Sequence, residues 1–195
     1  MHSVITPSAY SYLLGLYLGD GHIISKPRQH TLTVSCCDNW PGLIDEAAKA
    51  MQILLPCAAV GFVARSGCTD VKSYSKHWPC LFPQHGPGRK HERPIVLESW
   101  QRDIVRAEPW ALARDLIHSD GCRNVNWTTK IVAGERKRYE YPRYLFANES
   151  MDIMRILTTT LDEVGVEWKF PRRNLLSVAR RASVALMDQH VGPKY

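Results

Sequence analysis

Tyr12-Leu13-Leu14-Gly15-Leu16-Tyr17-Leu18-Gly19-Asp20-Gly21 decides the fold, because it returns one hundred residues later as Leu112-Ala113-Arg114-Asp115-Leu116-Ile117-His118-Ser119-Asp120-Gly121. Each copy is an apolar run of helical length ending in a small residue and then Asp-Gly. Pro7 and Pro109 stand shortly before the two runs, where proline suits the first turn of a helix. Gly21 and Gly121 are expected to take the left-handed conformation that closes a helix. One Asp-Gly after an apolar run is an ordinary helix stop. Two, at matching positions of a repeated frame, point to a pair of acids held together.

Outward from the two runs, each half reads as helix, two strands, helix, two strands. In His30-Thr31-Leu32-Thr33-Val34-Ser35-Cys36 polar and apolar residues alternate, the period of a sheet with one wet face. Asn124, Asn126, Thr128 and Lys130 alternate in the same way with Val125, Trp127 and Ile131, which are thereby expected on the dry face. An amphipathic helix over 38–55 is expected to open on a capping Asp or Asn, and its counterpart over 150–164 carries Met151, Ile153, Met154, Leu157 and Leu161 as an apolar stripe. Shorter strands follow over 59–65 and 71–76, then over 166–170 and 175–180. A third helix over 95–107 leads into the second unit through Glu108-Pro109. The units are 1–107 and 108–195, the second expected to end without that last helix. A further echo pairs Gln84-His85-Gly86-Pro87-Gly88-Arg89-Lys90 with Gln189-His190-Val191-Gly192-Pro193-Lys194.

The bulk properties agree with a packed protein that handles a polyanion. Of 195 residues 45% are hydrophobic, enough for a full core, which excludes disordered and fibrous classes. The net charge is +6, and both halves share the excess. Leu13 to Leu18, the longest apolar stretch, is too short to cross a bilayer, and no basic leader precedes it, so a soluble, cytoplasmic protein without membrane partners is expected. Six cysteines without a CxxC read as buried thiols of a reducing compartment. His77, Cys80, His85 and His91 lack the paired close ligands of a zinc site, and Trp78 and Phe82 among them read as core packing.

If the two apolar runs pack together, Gly15 and Gly19, four apart on one helical face, let the backbones approach closely. Asp20 then meets Asp120 at the negative ends of two helix dipoles, which is unfavourable unless a cation sits between them. Oxygen donors suit a hard ion, Mg2+ first, and such an ion can activate water and stabilise a leaving oxygen in phosphodiester cleavage.

The residues 13–21 and, in more diverged form, 113–121 resemble the signature of the LAGLIDADG homing endonucleases, and with one copy in each half the chain is similar to the single-chain, pseudo-dimeric members. The resemblance covers nearly the whole chain. It implies an α+β fold of two αββαββα repeats about a pseudo-two-fold axis, with two saddle-shaped antiparallel sheets along the major groove. It also implies a monomer that cuts both strands of a long double-stranded DNA site. Divalent ions, Mg2+ or in its place Mn2+ or Ca2+, would be held by Asp20 and Asp120 and by the carbonyls of Gly19 and Ser119. Lys90 and Lys194 would be the basic residues near each scissile phosphate, to orient water or offset charge.

For DNA contact the polar strand faces are the expected surface: Thr31, Thr33 and Ser35, and Asn124, Asn126, Thr128 and Lys130. Added to them are Ser25, Lys26, Arg28, Arg65, Lys72, Tyr74, Lys76, Arg143, Lys169 and Arg181, which can read base edges or hold phosphates. One departure stands out: Asp115 takes the place of Gly15, where close packing wants a small residue, so it either sits at the edge and pairs with Arg114 or Arg123 or loosens the interface. Two other readings accompany the endonuclease, a non-cleaving DNA-binding transcriptional regulator and an RNA-splicing maturase.

Overall fold

A computed structural model describes residues 5–195, and within them the same unit occurs twice. The first unit runs α1 (Pro7–Gly19), β1 (Gly21–Lys26), β2 (Gln29–Cys37), α2 (Pro41–Leu54), β3 (Val60–Arg65), β4 (Cys68–Tyr74), a short helix α3 (Trp78–Leu81), a 3-10 turn at Lys90–Glu92 and α4 (Ser99–Ala107). The second runs α5 (Pro109–Asp120), β5 (Gly121–Val132), β6 (Glu135–Ala147), α6 (Met151–Glu163), β7 (Lys169–Arg172), β8 (Leu175–Val178) and α7 (Arg181–His190). Each unit folds its four strands into one antiparallel sheet, in the orders β1-β2-β4-β3 and β5-β6-β8-β7. The α+β, two-repeat architecture is the one the sequence predicts.

The core lies where the helices meet the sheets. α1 has no solvent face: every residue from Ala9 to Leu18 is buried. A helix apolar all round must be covered all round, and α1 is, by α5, α2, α4 and the start of its own sheet. Trp78 and Phe82 are both fully buried, as expected, with Phe82 stacked on Tyr17 at 4.7 Å between ring centres.

Several local expectations change. Gly21 and Gly121 are not left-handed; neither is among the positive-φ residues, and Gly121 is extended, at φ −112°. They are glycine for space, since a Cβ at Gly21 would lie 2.6 Å from Tyr17 Cα and one at Gly121 would lie 2.7 Å from the Ile117 carbonyl oxygen. Each strand thus leaves its helix by folding back on the last turn. α2 opens on Trp40 and Pro41 without a side-chain cap, because Asp38 is engaged elsewhere, accepting from Thr69 Oγ1 at 2.8 Å. A helix does close the second unit, α7, which lies before the Lys194 tail as α3 lies before the Lys90 loop; the element without a counterpart is α4. Of the six free cysteines only Cys36 is buried.

The largest change concerns the second sheet. Val125, Trp127 and Ile131, expected on a dry face, are 56, 58 and 77% exposed. β8 has four residues and pairs only with Tyr144 to Ala147 of β6, so the rest of the β5–β6 hairpin projects past it as a two-stranded ribbon.

Candidate functional site

α1 and α5 run parallel, and Gly15 and Gly19 set their separation. A Cβ on Gly15 would lie 2.8 Å from Asp115 Cβ and 3.0 Å from the Leu112 carbonyl oxygen; one on Gly19 would lie 2.5 Å from Ser119 Cβ. The contacts advance in step along both helices, so the two C-termini come out side by side. Asp20 follows α1 as its C-cap and Asp120 ends α5. Both help line a cleft of about 550 Å³ that also takes in His22, Lys90, His91, Arg93 and Asn148.

The electrostatics of this junction are those of an acid pair short of positive charge. Desolvation and then the Asp120 charge push the Asp20 carboxyl up to about 6, with Lys90 and Lys194 pulling the other way. Asp120 is also held above the usual carboxylate range by desolvation, partly offset by Asn148 Nδ2, which donates to its Oδ2 at 2.7 Å. Asn148 was not visible as a site residue from the sequence; its only signal is that it directly follows β6 and precedes the capping Ser150.

Each lysine closes one helix end. Lys90 Nζ donates to the carbonyls of Tyr17, Leu18 at 2.9 Å and Gly19 at 2.7 Å, and lies 5.2 Å from the centre of the Tyr17 ring. Burial pushes its ammonium down to about 8, against the upward pull of Asp20 and Asp120. Lys194 Nζ reaches the Ser119 carbonyl at 3.4 Å. A cation against the last carbonyls of a helix is well placed for the dipole. The carbonyls of Gly19 and Ser119, expected as metal ligands, are thus lysine acceptors in this structure.

What holds the two lysines differs. The loop bearing Lys90 rests on a buried polar chain: Tyr10 Oη donates to Leu81 O at 2.6 Å, Gln101 of α4 donates to Tyr10 Oη at 2.6 Å, and Gln84 donates to Gln101 and to Val96 O. Arg93 then fastens the loop to itself, donating to Gln84 O at 3.0 Å and Gly88 O at 2.8 Å. Lys194 rides on a tail whose last residue, Tyr195, packs over Gly42 of α2, with its hydroxyl 2.8 Å from Arg114.

Asp115 lies neither at the edge nor in an ion pair. It is fully buried, and neither carboxyl oxygen has a hydrogen-bond partner among the described residues. Arg114 turns instead to Glu46 at 3.0 Å, which also accepts from Tyr12 Oη at 3.0 Å, and Arg123 pairs with Asp188 at 2.6 Å. Burial pushes the Asp115 carboxyl well above its ordinary value, against the pull of Arg114, and so favours its protonated form. Gly15 opposite leaves it room, and the interface closes around it.

On the strand faces, register fixes which expected residues point away from the helices. In the first sheet Lys26, Thr31, Thr33, Ser35, Lys72 and Arg65 share the outward face, as does Tyr74, but Thr33 is buried there rather than open to a partner. Arg28 sits in the β1–β2 turn and Lys76 just past β4, whereas Ser25 lies on the other side of the pleat, 2.9 Å from His30 Nδ1. At the centre of the outward face is an acid that sequence reasoning missed, Asp70. It accepts from Ser35 Oγ at 2.7 Å and Arg65 Nε at 3.0 Å and pairs with Lys72 at 3.3 Å, which hold its carboxyl below the usual range. The alternation Asp70, Lys72, Tyr74 carried that signal, but the expected strand began at 71, just past Asp70, whereas β4 begins at Cys68. In the second sheet Asn124, Asn126, Thr128, Lys130, Arg143 and Lys169 share the outward face. Arg181 does not: it opens α7, which packs on the helix side of β6.

The donor set suits a hard divalent ion. It offers two carboxylates, both held above the usual range and one of them pushed up in part by the other, and the end carbonyls of two helices, all oxygen. Among the described residues no three His, Cys, Asp or Glu side chains gather as a metal cluster, His77, Cys80, His85 and His91 included.

No family model matches the chain, and no curated protein matches it by sequence. Solved structures do match. The chain superposes on I-DmoI in complex with DNA and Mn with a TM-score of 0.62 at 14% identity, over 97% of this chain and 98% of that one. It superposes on the LAGLIDADG meganuclease I-AabMI bound to uncleaved DNA with a TM-score of 0.55 at 9% identity, over 92% and 83%. The N-terminal LAGLIDADG domain of WhiA gives 0.54 at 11% identity, over 97% and 83%. Other I-DmoI structures hold DNA with Ca, or target DNA in the presence of Mg. With two motif helices side by side, an antiparallel four-stranded sheet behind each and near-complete superposition, this chain has the LAGLIDADG homing endonuclease fold.

Proposed function

We propose that the protein is a site-specific, double-stranded DNA endonuclease that works as a monomer in the cytoplasm. The observation that carries this reading is the meeting of Asp20 and Asp120 at adjoining helix ends, each with a lysine beside it. I-DmoI, whose fold it shares, has been solved with DNA and Mn, and a net charge of +6 favours a polyanion. A divalent ion, Mg2+ by preference, held by Asp20, Asp120 and the carbonyls of Gly19 and Ser119 would supply an activated water and offset charge on the leaving oxygen.

The chain's own groups do the rest. Asn148 keeps the Asp120 carboxylate aimed at the junction and lowers its proton affinity. The ammonium groups of Lys90 and Lys194, each within reach of a helix end, turn to the two phosphates and offset charge as the phosphorus–oxygen bond breaks. Outward polar side chains of both sheets contact base edges and phosphates.

The test is cleavage of a randomised duplex library in Mg2+ beside Asp20→Asn and Asp120→Asn. Enriched cut sites that vanish in either variant are expected. The grip of Lys90 on the Gly19 carbonyl favours a second reading, a DNA-binding regulator that does not cut. That reading wins if one sequence is enriched by binding while no strand is cut in Mg2+ or Mn2+.

A further inference from the structure

The two hairpins that follow the motif helices are unequal. β1 has six residues and β5 has twelve. The longer hairpin ends in a tight turn at Ala133 and Gly134, both at positive φ, which continues the strand twist rather than splaying the arms. Only its base, at Tyr144 to Ala147, is covered by β8. From Thr129 to Glu140 the ribbon stands in solvent on both faces, an expensive construction unless something lies against it.

The outward face of that ribbon is built of cross-strand pairs: Asn124 opposite Arg143, Asn126 opposite Tyr141, Thr128 opposite Tyr139 and Lys130 opposite Lys137. Arg143 lies 5.4 Å from the Tyr141 ring centre. No acid stands among these eight residues. In the first sheet, by contrast, Asp70 already engages Ser35, Arg65 and Lys72. Lys130 directly opposite Lys137 repels at close range, a cost that an anion lying across the pair removes. Tyrosine, asparagine and threonine between them present donors, acceptors and flat rings, the chemistry that reads base edges.

We infer that the β5–β6 ribbon carries the DNA contact of the second unit outward past that of the first, so that the recognised site is lopsided about its centre. This rests on the DNA-binding reading above and deepens it. Six more residues at about 3.3 Å each reach roughly 20 Å further, or about three to six base pairs, depending on how steeply the ribbon crosses the groove. Lys130 and Lys137 hold backbone phosphate at the far end; Asn126, Thr128, Tyr139 and Tyr141 set sequence preference short of it.

The experiment uses the full chain carrying Asp20→Asn, so that bound DNA stays whole. Duplexes selected from a randomised library are footprinted with hydroxyl radical, and the reach on each side of the centre is compared. Protection about three to six base pairs longer on one side is expected. Lys130→Ala with Lys137→Ala should weaken binding about tenfold and flatten the dependence of log affinity on log salt by about two. Tyr139→Ala with Asn126→Ala should erase sequence preference at the outer positions of the long side and leave the short side unchanged. Equal reach on both sides, or a salt slope untouched by the lysine pair, overturns the inference while the DNA-binding reading stands. Failure to bind any duplex overturns both.

Discussion

Lys90 and Lys194 reach equivalent helix ends from equivalent places in a duplicated chain, yet different contacts hold them there. Lys90 touches three carbonyls and is braced by a buried chain of Gln84, Gln101 and Tyr10 that depends on α4. Lys194 touches one carbonyl from a tail whose Tyr195 packs over Gly42 of the other unit and accepts from Arg114 of its own. The helix seam shows the same split: one side presents Gly15, the other a buried and unpartnered Asp115. Duplication preserved where the charges must arrive and left free how each is brought there.

Substitution at the seam is expected to have the largest effect. Gly15→Val puts a branched side chain where a Cβ already stands 3.0 Å from backbone, with nothing flexible to yield. Overpacking of this kind should cost about 3 kcal/mol, read as a lower urea midpoint. The opposite change on the other side should help: Asp115→Ala removes a buried, unpaired carboxyl and should gain about 2 kcal/mol at neutral pH. The gain has a signed pH dependence. In the unfolded chain the carboxyl ionises near about 4, while burial holds the folded one above that, so the wild type loses stability as pH rises through and above that value. The advantage of the alanine variant should therefore grow from pH 4 to pH 8, and a flat difference would show that Asp115 is ionised when folded. The smallest effect is expected from Tyr195→Ala, whose exposed hydroxyl and half-exposed ring contribute under about 1 kcal/mol. Its readout is local: Lys194 should acetylate faster while Lys90 stays protected, and equal acceleration of both would erase the difference between the two supports.

Much of this was legible in the chain because the decisive residues are close in sequence and occur twice. Gly15, Gly19, Asp20 and Asp120 sit in short runs whose period, start and stop signals agree, so the parallel helix pair and the meeting of the acids follow directly. Gly21 and Gly121 were rightly marked but for the wrong reason, since local pattern reports a turn and cannot report that Tyr17 or Ile117 backbone stands where a Cβ would go. Val125, Trp127 and Ile131 alternate as residues of a half-buried strand do; whether that face is covered depends on the length of β8, a neighbour fifty residues away. Asp70 and Asn148 escaped for a related reason, each taking its role from partners supplied by register or by another element.

One feature of α1 bears on how the chain comes to exist at all. Its ten residues from Ala9 to Leu18 are buried on every side, and part of that cover is α5, one hundred residues downstream. At synthesis rates of about 5–20 residues per second, α1 leaves the ribosome roughly five to twenty seconds before its partner helix does. Through that interval the first unit carries an uncovered apolar face on the element that will later align both acids. The seam therefore stays open until α5 has emerged, and it is a place for a nascent chain to be captured by a chaperone or by another copy. The two halves, so alike as units, should not be expected to survive apart.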